Sequence, residues 1–365
     1  MKNNFGTNIS LTIFGESHGP YIGITLDGLP AGFPISLEKM KKDLDQRKAK
    51  NNLSTSRHEP DSFQIISGLY HGNTTGTPLT ILIPNTNTNS KVYEDQKYLL
   101  RPGHADFTAF KKYHGFQDFR GGGHFSGRMT ACIVAAGSIC QQILDQKGIS
   151  IVSHIEQLHT IYDTSFSSDP VQLAKQAQLL KEKDFAVIDS DKESEMKKAI
   201  LQAKKEGDSV GGILETIITS IPAGIGEPFF DSVESILSHL LFSIPAVKGV
   251  SFGAGFELAK MKGSQANDPF VYNNSIQTKT NHNGGINGGI TNGMPILIHT
   301  VIKPTPSIHK EQKSINYQTN EEISLQIQGR HDPCIVHRAR IVVDSILAFG
   351  ILDLFMSWKA EQICE

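Results

Sequence analysis

Two segments of the sequence resemble each other, and this internal repeat sets the strongest limit on the fold. Residues 15–32, GESHGPYIGITLDGLPAG, align without a gap on residues 207–224, GDSVGGILETIITSIPAG, with six identical positions. Both segments have the pattern of a glycine turn, an extended strand and a Pro-Ala-Gly exit. The repeat predicts that two structural halves use one supersecondary unit, and a chance similarity is the alternative.

Apolar periodicity predicts strands at 9–14, 21–26, 62–67, 79–83, 213–219, 250–256 and 295–302. It predicts helices at 37–44, 129–146, 171–181, 193–205, 231–241 and 338–358. Strands in clusters between helices favour an α+β fold, with helices packed against largely antiparallel sheets, over a doubly wound parallel fold. Because no linker-like segment interrupts the sequence, we predict a single domain over residues 1–365.

Composition excludes several classes of protein. The chain has 35 Lys and Arg against 37 Asp and Glu, which argues against a disordered polyelectrolyte and a generally basic nucleic-acid binder. The longest apolar stretches, 133–139 and 346–355, are shorter than the ~18 residues that cross a bilayer, so no membrane span is expected. The N-terminal residues lack a signal-peptide pattern, and we expect a cytoplasmic protein. The four cysteines form no CxxC pair, and we expect them to be apolar in role.

The histidine of the first repeat is the first candidate for chemistry. His18 in the first copy corresponds to Val210 in the second. The turn therefore does not need an imidazole for its own geometry. We infer that His18 is a candidate for chemistry.

A second candidate region is the basic, glycine-rich segment 101–131. It places three histidines, two lysines and three arginines within about thirty residues, together with the triple glycine 121–123. Successive backbone N–H groups in such a turn can hold an anion, and Ser126 and Arg128 follow where a helix should begin. An ordinary tight turn is the alternative, but the combination favours an anion site.

Three further segments each allow a functional and a structural interpretation. The tract HNGGINGGITNG (282–293) suits close packing against a flat ligand or another chain, or equally a hairpin. The segment KPTPS (303–307) is either a rigid ligand-binding loop or a surface loop. The segment 43–61, which contains Arg47, is either a clamp for a polyanion or a solvated basic loop.

The C-terminal segment GRHDPCIVHRARIVVDS combines arginines, histidines and an acid directly before the last predicted helix. An Arg-His-Asp triplet there can set the Asp332 carboxylate beside a cation and fix its charge, although a solvated charge run is the alternative. No HExxH motif or Cys/His ligand pair is present, so a metal site is not expected. The letters GxSxG occur at 15–19 and 207–211, but a nucleophile elbow lies between a strand and a helix, and both of these turns precede a predicted strand, so a serine hydrolase is not expected. The residues alone predict an enzyme that binds a polyanion with arginines and moves protons with histidines.

At these residues the sequence resembles the chorismate synthase family. Residues 15–32, 101–128 and 329–345 are similar to its three signature regions. The segments EPDSFQIISGLYHGNTTGTP, KKEGDSVGG, PAVKGVSFGAGF and NHNGGINGGI are also similar, in the same order and spacing. The resemblance therefore covers almost the whole chain.

The resemblance implies the last step of the shikimate pathway to aromatic amino acids. The family converts 5-enolpyruvylshikimate 3-phosphate to chorismate and phosphate by an anti-1,4-elimination that needs reduced FMN. By resemblance, His18 protonates the departing phosphate, and His104 stabilises negative charge on the reduced flavin. Asp332 lies near flavin N5 and helps to remove the C6 proton, with the flavin as the immediate base.

The resemblance also implies the ligand contacts. Arg47, Arg128 and Arg338 are the implied substrate anchors, and the family arginine matched by Arg47 is also assigned to NADPH binding. The implied flavin contacts are His124, Phe125, Ser126, Pro245, Ala246, Gly288, Lys303, Pro304, Thr305, Pro306, Ser307 and Arg330. The implied fold is one domain with helices between antiparallel sheets, assembled as a homotetramer. We expect an external reductase, with NADPH as the indirect source of electrons.

The sequence departs from the family pattern at four places. The second arginine expected after Arg47 is missing, with Lys50, Asn51 or Asn52 and a one-residue deletion in its place. His124, Pro245 and Asp344 replace an arginine, an asparagine and a glutamate. The departures at Lys50 and His124 leave one alternative open, a flavin- or phospholigand-binding protein that has lost turnover. A metal-dependent hydrolase is a third hypothesis.

Overall fold

The computed structural model describes residues 2–55, 59–87, 91–94, 96–327 and 331–362. Its strands are β1 (Asn4–Phe5), β2 (Ser10–Gly15), β3 (Tyr21–Asp27), β4 (Gln64–Ser67), β5 (Leu69–Tyr70), β6 (Asn73–Thr74), β7 (Leu79–Pro84), β8 (Ser150–Leu158), β9 (Ile161–Tyr162), β10 (Gly212–Thr219), β11 (Val247–Phe252), β12 (Phe270–Tyr272), β13 (Ile276–Thr278), β14 (Ile286–Asn287), β15 (Ile290–Thr291), β16 (Ile296–Ile302), β17 (Gln312–Asn316) and β18 (Glu321–Leu325). Its helices are α1 (Leu37–Arg47), α2 (Lys91–Glu94), α3 (Asp106–Tyr113), α4 (Thr130–Asp145), α5 (Pro170–Glu182), α6 (Ser190–Lys205), α7 (Val233–Ser243), α8 (Gly263–Ala266) and α9 (Val336–Glu361).

Two five-stranded antiparallel sheets enclose the central helices. The first sheet has the order β1-β2-β3-β7-β4 and the second has the order β11-β16-β10-β8-β9. Helix α4 packs on β3 and β7 of the first sheet, and α9 packs on β8 and β10 of the second. The two helices also pack on each other, so the layers run sheet, helix, helix, sheet. The predicted α+β fold with helices between antiparallel sheets is confirmed.

Sequence patterns explain why these layers form. In β7, the buried residues Leu79, Ile81 and Ile83 alternate with less buried ones, as expected for a strand with one face in the core. Helices α4 and α9 are apolar on nearly all sides because each lies between a sheet and the other helix. At their crossing, a Cβ on Gly137 would overlap Ser345, so only glycine permits this approach.

The two repeat segments occupy equivalent positions. Strand β3 of the first copy and strand β10 of the second are each the central strand of a five-stranded sheet. Both follow a glycine-containing turn and both lead into a Pro-Ala-Gly segment that ends in a glycine of positive φ. One apolar cluster joins both sheets and the helices between them. On this ground we propose that the chain is a single domain built from two copies of this unit.

Three expectations are corrected. The strand predicted at 250–256 is β11, which ends at Phe252 because Gly253 and Gly255 adopt positive φ. The strand β8, next to the central strand of the second sheet, and the helix α3 were not predicted. The expectation that no segment is long and apolar enough to cross a membrane is wrong by composition: among the described residues, helix α9 meets both criteria. However, 78% of its most apolar window is buried inside the protein.

Candidate active site

His18 lies in the turn between β2 and β3, against the triple glycine. Gly121, Gly122 and Gly123 have φ values of +59°, +83° and +52°, which favour glycine. This conformation brings the Gly121 backbone against the His18 ring, where a Cβ would overlap Cε1 and Nδ1. The triple glycine is predicted to let the backbone approach a ligand closely. In the structure, the group that this backbone approaches is the His18 side chain.

The neighbouring hydroxyl orients the His18 ring. Ser17 Oγ donates towards the Gly121 carbonyl oxygen at 3.1 Å and lies 3.2 Å from His18 Nδ1. Because the hydroxyl proton points to a carbonyl, its oxygen is left to accept from Nδ1–H. The Tyr93 ring packs edge-on against the imidazole, at a centroid distance of 5.2 Å. His18 is thus held in one orientation and is 9% exposed.

The residues after the triple glycine connect this turn to α4. His124 Nδ1 donates to the Gly15 carbonyl oxygen at 2.8 Å, which ties the segment to the end of β2. Ser126 caps a short 3₁₀ turn by accepting from the Arg128 backbone N–H, and α4 begins at Thr130. The Phe125 side chain is 42% exposed. Two of the three predicted flavin contacts in this segment therefore have polar partners within the protein.

Arg47 and Arg128 bind the same buried carboxylate. Arg47 Nη2 lies 2.8 Å from Asp61 Oδ2, and Arg128 Nη1 binds the other oxygen of Asp61. Burial alone would raise the pKa of Asp61, but the attraction of the two arginines outweighs it and leaves the pKa below its usual value. Asp61 therefore stays ionised and fixes both guanidinium groups.

Arg128 also supports the turn that carries His18. Its Nε donates to Asn85 Oδ1 at 3.0 Å. The Asn85 amide in turn donates to the carbonyl oxygens of Glu16 and Gly19, at 3.0 and 2.8 Å. This chain of hydrogen bonds places the arginine pair beside the His18 turn.

The third predicted anchor, Arg338, pairs with Asp332. Arg338 Nη2 binds Asp332 Oδ2, while Asp332 Oδ1 accepts from the Thr55 backbone N–H at 2.9 Å. Burial lowers the pKa of Arg47 below its usual value, and the positive charges of Arg128 and Arg338 lower it further, which shows that the three arginines share one region.

This region carries unused hydrogen-bond donors. The buried Nε atoms of Arg47 and Arg338 have no hydrogen-bond partner among the described residues. Three guanidinium groups face the two carboxylates of Asp61 and Asp332, so the cluster is net positive. An orphaned buried donor is costly unless a ligand satisfies it. The arrangement fits a polyanionic ligand.

His104 and the 303–307 segment form a second cluster. His104 Nδ1 lies 3.0 Å from the Pro102 carbonyl oxygen, and its Nε2 lies 2.8 Å from Ser307 Oγ. Lys303 Nζ donates to the Gly103 carbonyl oxygen at 2.8 Å, and the Lys303 backbone N–H donates to the Ala246 carbonyl oxygen at 2.9 Å. The structure therefore brings together four residues that the sequence placed at one flavin site, with Pro245 adjacent in the chain to Ala246.

The electrostatics of this cluster favour a neutral imidazole. Burial and the charge of Arg101 lower the pKa of His104 below its usual value, and Lys303 adds to the effect. A neutral His104 that donates from Nδ1 to Pro102 must accept at Nε2 from the Ser307 hydroxyl. Thr305 Oγ1 is buried with no partner among the described residues, so a further acceptor or donor is expected there.

His331 connects the two clusters. Its ring lies 4.6 Å from the ring of His309, and it directly precedes Asp332. Burial, followed by the influence of His309, His104 and Arg101, lowers the pKa of His331 to about 4. The His104 cluster and the arginine cluster thus meet at residues 331–332.

Other predicted positions lie elsewhere. Gly288 is in the β14–β15 hairpin, which binds the Pro-Ala-Gly exit of the second repeat copy and the N-terminus of α7. The tract thus contains a hairpin, and its contact with a ligand stays a prediction. Lys50 pairs with Asp184 at 2.5 Å. Arg330 lies outside the described residues.

The buried cysteines Cys132, Cys140 and Cys334 have pKa values raised to about 12 by burial.

Sequence reasoning missed Asp61, Asn85 and Tyr93. Each is an isolated polar residue in a loop or a short helix, and its role depends on partners far away in the chain. No local signal distinguishes them.

In the described ranges, no group of three or more His, Cys, Asp or Glu side chains is arranged to hold a metal ion.

Comparisons with known proteins point to one family. The family model described as chorismate synthase matches residues 9–356. Chorismate synthases of Pyrococcus abyssi and Thermococcus gammatolerans are 43% and 42% identical over 349 and 356 residues, covering 95% and 97% of this chain and 96% and 98% of theirs. A crystal structure of chorismate synthase superposes with a TM-score of 0.76 at 27% identity, covering 97% of this chain and 93% of that one.

The fold and these relationships define an α+β enzyme of the lyase class. The chain belongs to the chorismate synthase family.

Proposed function

We propose that this protein is a chorismate synthase that eliminates phosphate from 5-enolpyruvylshikimate 3-phosphate to give chorismate, with reduced FMN as cofactor. One observation carries the proposal. Arg47, Arg128 and Arg338 surround two carboxylates, and the buried Nε atoms of Arg47 and Arg338 have no hydrogen-bond partner in the part of the chain that the structure describes. The substrate has a phosphate and two carboxylates, so its charge complements this cluster.

His18 is the proposed acid. Its ring is fixed by Ser17 at Nδ1 and by Gly121 on one side. A protonated imidazole that faces the ester oxygen neutralises the charge that develops on the departing phosphate. Because this charge is greatest in the transition state, His18 would increase the rate more than it tightens substrate binding.

Asp332 is the residue proposed to assist removal of the C6 proton. Arg338 and the Thr55 N–H bind its two oxygens, which holds the carboxylate in one orientation. His18 and Asp332 have separate supports. Asn85 and Arg128 support the turn that carries His18. Arg338 and the Thr55 N–H hold Asp332. This separation suits an elimination in which the proton and the phosphate leave from different carbons.

The residues of the His104 cluster fit a flavin phosphate and ring. Lys303 supplies a cation, Ser307 and Thr305 supply hydroxyls, and the Thr305 hydroxyl is buried without a partner among the described residues. The proposed contacts are those named from the family resemblance, including Gly288 and Arg330. When bound, reduced FMN would supply electron density to the substrate during cleavage of the C–O bond. His104 would bind and orient the cofactor.

We also propose a homotetramer that depends on an external, NADPH-linked flavin reductase in the cytoplasm. Residues Phe270, Tyr272 and Ile276 on the β12–β13 hairpin are 72%, 82% and 73% exposed. An apolar surface of this kind is typical of a subunit contact. Light scattering of the purified protein measures the mass of the assembly.

A turnover assay tests the main proposal. Purified protein is mixed anaerobically with reduced FMN and 5-enolpyruvylshikimate 3-phosphate, and chorismate and phosphate are measured separately. A relative such as the Pyrococcus abyssi enzyme serves as the positive control, and omission of FMN is the negative control. Failure to form chorismate while the control is active would overturn the proposal. Substrate binding without phosphate release would instead indicate a protein that has lost turnover.

A further inference from the structure

We infer that His337 is a positioning residue for the reaction, acting on Asp332 through the segment that follows α1. This inference rests on the proposed function, because it assigns His337 to orientation of Asp332, the group that assists removal of the C6 proton. The segment concerned is residues 50–55, which we call the strap.

The strap crosses the beginning of α9 and is held there by two hydrogen bonds. Ser54 Oγ lies 2.9 Å from His337 Nε2. The next residue, Thr55, donates its backbone N–H to Asp332 Oδ1 at 2.9 Å. A bond that fixes Ser54 therefore also fixes the donor that orients Asp332.

The other end of the strap is tied to α5 and α6. Lys50 Nζ binds Asp184 at 2.5 Å in the segment between these helices, and Lys204 Nζ of α6 donates to the Asn52 carbonyl oxygen at 2.7 Å. These contacts involve exposed side chains and are individually weak. Ser54 is buried at 2% exposure, so its bond to His337 is the contact that water competes for least.

His337 is itself rigidly placed. Its ring stacks on Phe185 at a centroid distance of 5.8 Å and an interplanar angle of 22°. Its Nδ1 is buried without a partner among the described residues. Burial and the adjacent charge of Arg338 lower the pKa of His337 to about 3, so the ring is neutral at working pH. A neutral ring can orient Ser54 but cannot supply a charge to the substrate.

The two oxygens of Asp332 thus have different supports. Arg338 binds Oδ2 from α9, whereas Thr55 binds Oδ1 from the strap. Without the His337 bond, Ser54 and Thr55 can move away, and the carboxylate is free to rotate about its bond to Arg338. Misplacement of a reacting group by about 1 Å can cost about 100-fold in rate. The expected loss therefore falls on turnover.

A matched pair of variants isolates the hydrogen bond. In His337→Phe, stacking on Phe185 is retained but the bond to Ser54 is lost, whereas His337→Gln places an amide N–H near the original Nε2. Ser54→Ala removes the same bond from the other side and leaves the imidazole in place. If His337→Phe does not fold, Ser54→Ala still tests whether the bond between Ser54 and His337 affects turnover.

The measurements are kcat, substrate Kd, and the kinetic isotope effect with substrate deuterated at C6. His337→Phe and Ser54→Ala are expected to lower kcat by about 10- to 100-fold, with Kd changed less than about threefold. The isotope effect is expected to rise, because C–H cleavage becomes more rate-limiting. The double variant should be no slower than either single one, and His337→Gln should recover most of the rate.

The outcomes separate this inference from the proposed function. A wild-type protein that forms no chorismate overturns both. Wild-type turnover with an unchanged kcat in His337→Phe or Ser54→Ala overturns only the role of His337. A lower kcat with an unchanged isotope effect, or equal losses in the Gln and Phe variants, assigns His337 to general stability and also overturns it.

Discussion

The backbone of Gly121 lies against the imidazole of His18, so closely that a Cβ at Gly121 would overlap Cε1 and Nδ1 of the ring. Gly121 also has a φ of +59°, a conformation that residues with a side chain seldom adopt. One glycine therefore satisfies two requirements, the turn and the space beside the proposed acid. The relationship connects the first signature region to the second across about a hundred residues of sequence.

Substitution Gly121→Ala is expected to displace the His18 ring and to reduce turnover. A misplaced general acid loses up to its full contribution, about 100- to 10,000-fold in kcat. Substrate affinity should change little because the arginine cluster is formed by other residues. Stopped-flow measurement of chorismate formation and calorimetric titration of substrate provide the two values.

Gly122→Ala is the matched control. Gly122 has a φ of +83°, and the nearest atom to an added Cβ is Ser126 Cβ at 3.9 Å. The control has the same backbone strain, about 1 kcal/mol, without contact with the imidazole. Similar kcat values for the two variants would show that His18 placement does not depend on Gly121.

His18→Ala is expected to lose turnover far more than substrate affinity. The acid acts on charge that develops as phosphate departs, so its effect is greatest in the transition state. Single-turnover rates and substrate Kd in the presence of oxidised FMN measure the two quantities separately. Equal losses in rate and affinity would contradict the acid role.

The affinity for reduced FMN is expected to increase as the pH falls. In the ligand-free protein, burial and Arg101 lower the pKa of His104, so the ring is neutral at pH 7. A bound anion favours the protonated ring and raises this pKa, so binding takes up a proton in the interval between the two pKa values. Anaerobic titrations at about pH 6 and about pH 8 measure the difference.

His104→Gln should flatten this pH dependence. His331 also titrates near the cluster, but its pKa of about 4 keeps it neutral over the measured range. An unchanged slope in His104→Gln would assign the proton uptake to another group.

Much of the fold could be predicted because its elements have regular apolar periods. The predicted strand at 79–83 corresponds to β7, and the predicted helix at 338–358 lies within α9. The segment SIVSHIEQL of β8 was missed, although it is next to the central strand of the second sheet. Its side chains include His154 and Glu156, whose partners Glu215 and His299 lie on strands far away in sequence. A local pattern cannot show that such polar side chains are buried.

The candidate site could be predicted only in part, for the same reason. His18 was identified because the second repeat copy lacks the histidine, which is a comparison within the sequence. Asp61 was missed, since its importance comes from Arg47 and Arg128, which reach it from α1 and from the 3₁₀ turn before α4. The bond between Ser54 and His337 joins residues 283 positions apart. Such contacts are determined by packing of the layers and have no periodic signal.

The buried histidine of β8 gives the last prediction. His154 Nδ1 lies 2.9 Å from Asp163 and its Nε2 lies 2.6 Å from Glu215, on the face of the second sheet away from Thr216 and α9. Burial alone would lower the pKa of His154, but the two carboxylates outweigh it and raise the pKa above its usual value. Asp163 also accepts from the backbone N–H groups of Ile188 and Asp189, so the imidazolium ties the segment before α6 to the sheet.

We expect the free energy of unfolding to decrease as the pH rises from about 6.5 through the raised pKa of His154. In this interval the folded state still holds a proton that the unfolded state has released, so a higher pH favours unfolding. The variant His154→Gln should be less stable near pH 6 but should show a smaller decrease up to about pH 9. His299, whose pKa is raised by Glu156 against the effect of burial, should leave a residual slope that the further change His299→Gln removes. Urea unfolding at a series of pH values measures these slopes. Parallel curves for wild type and His154→Gln would show that His154 is not charged in the folded protein.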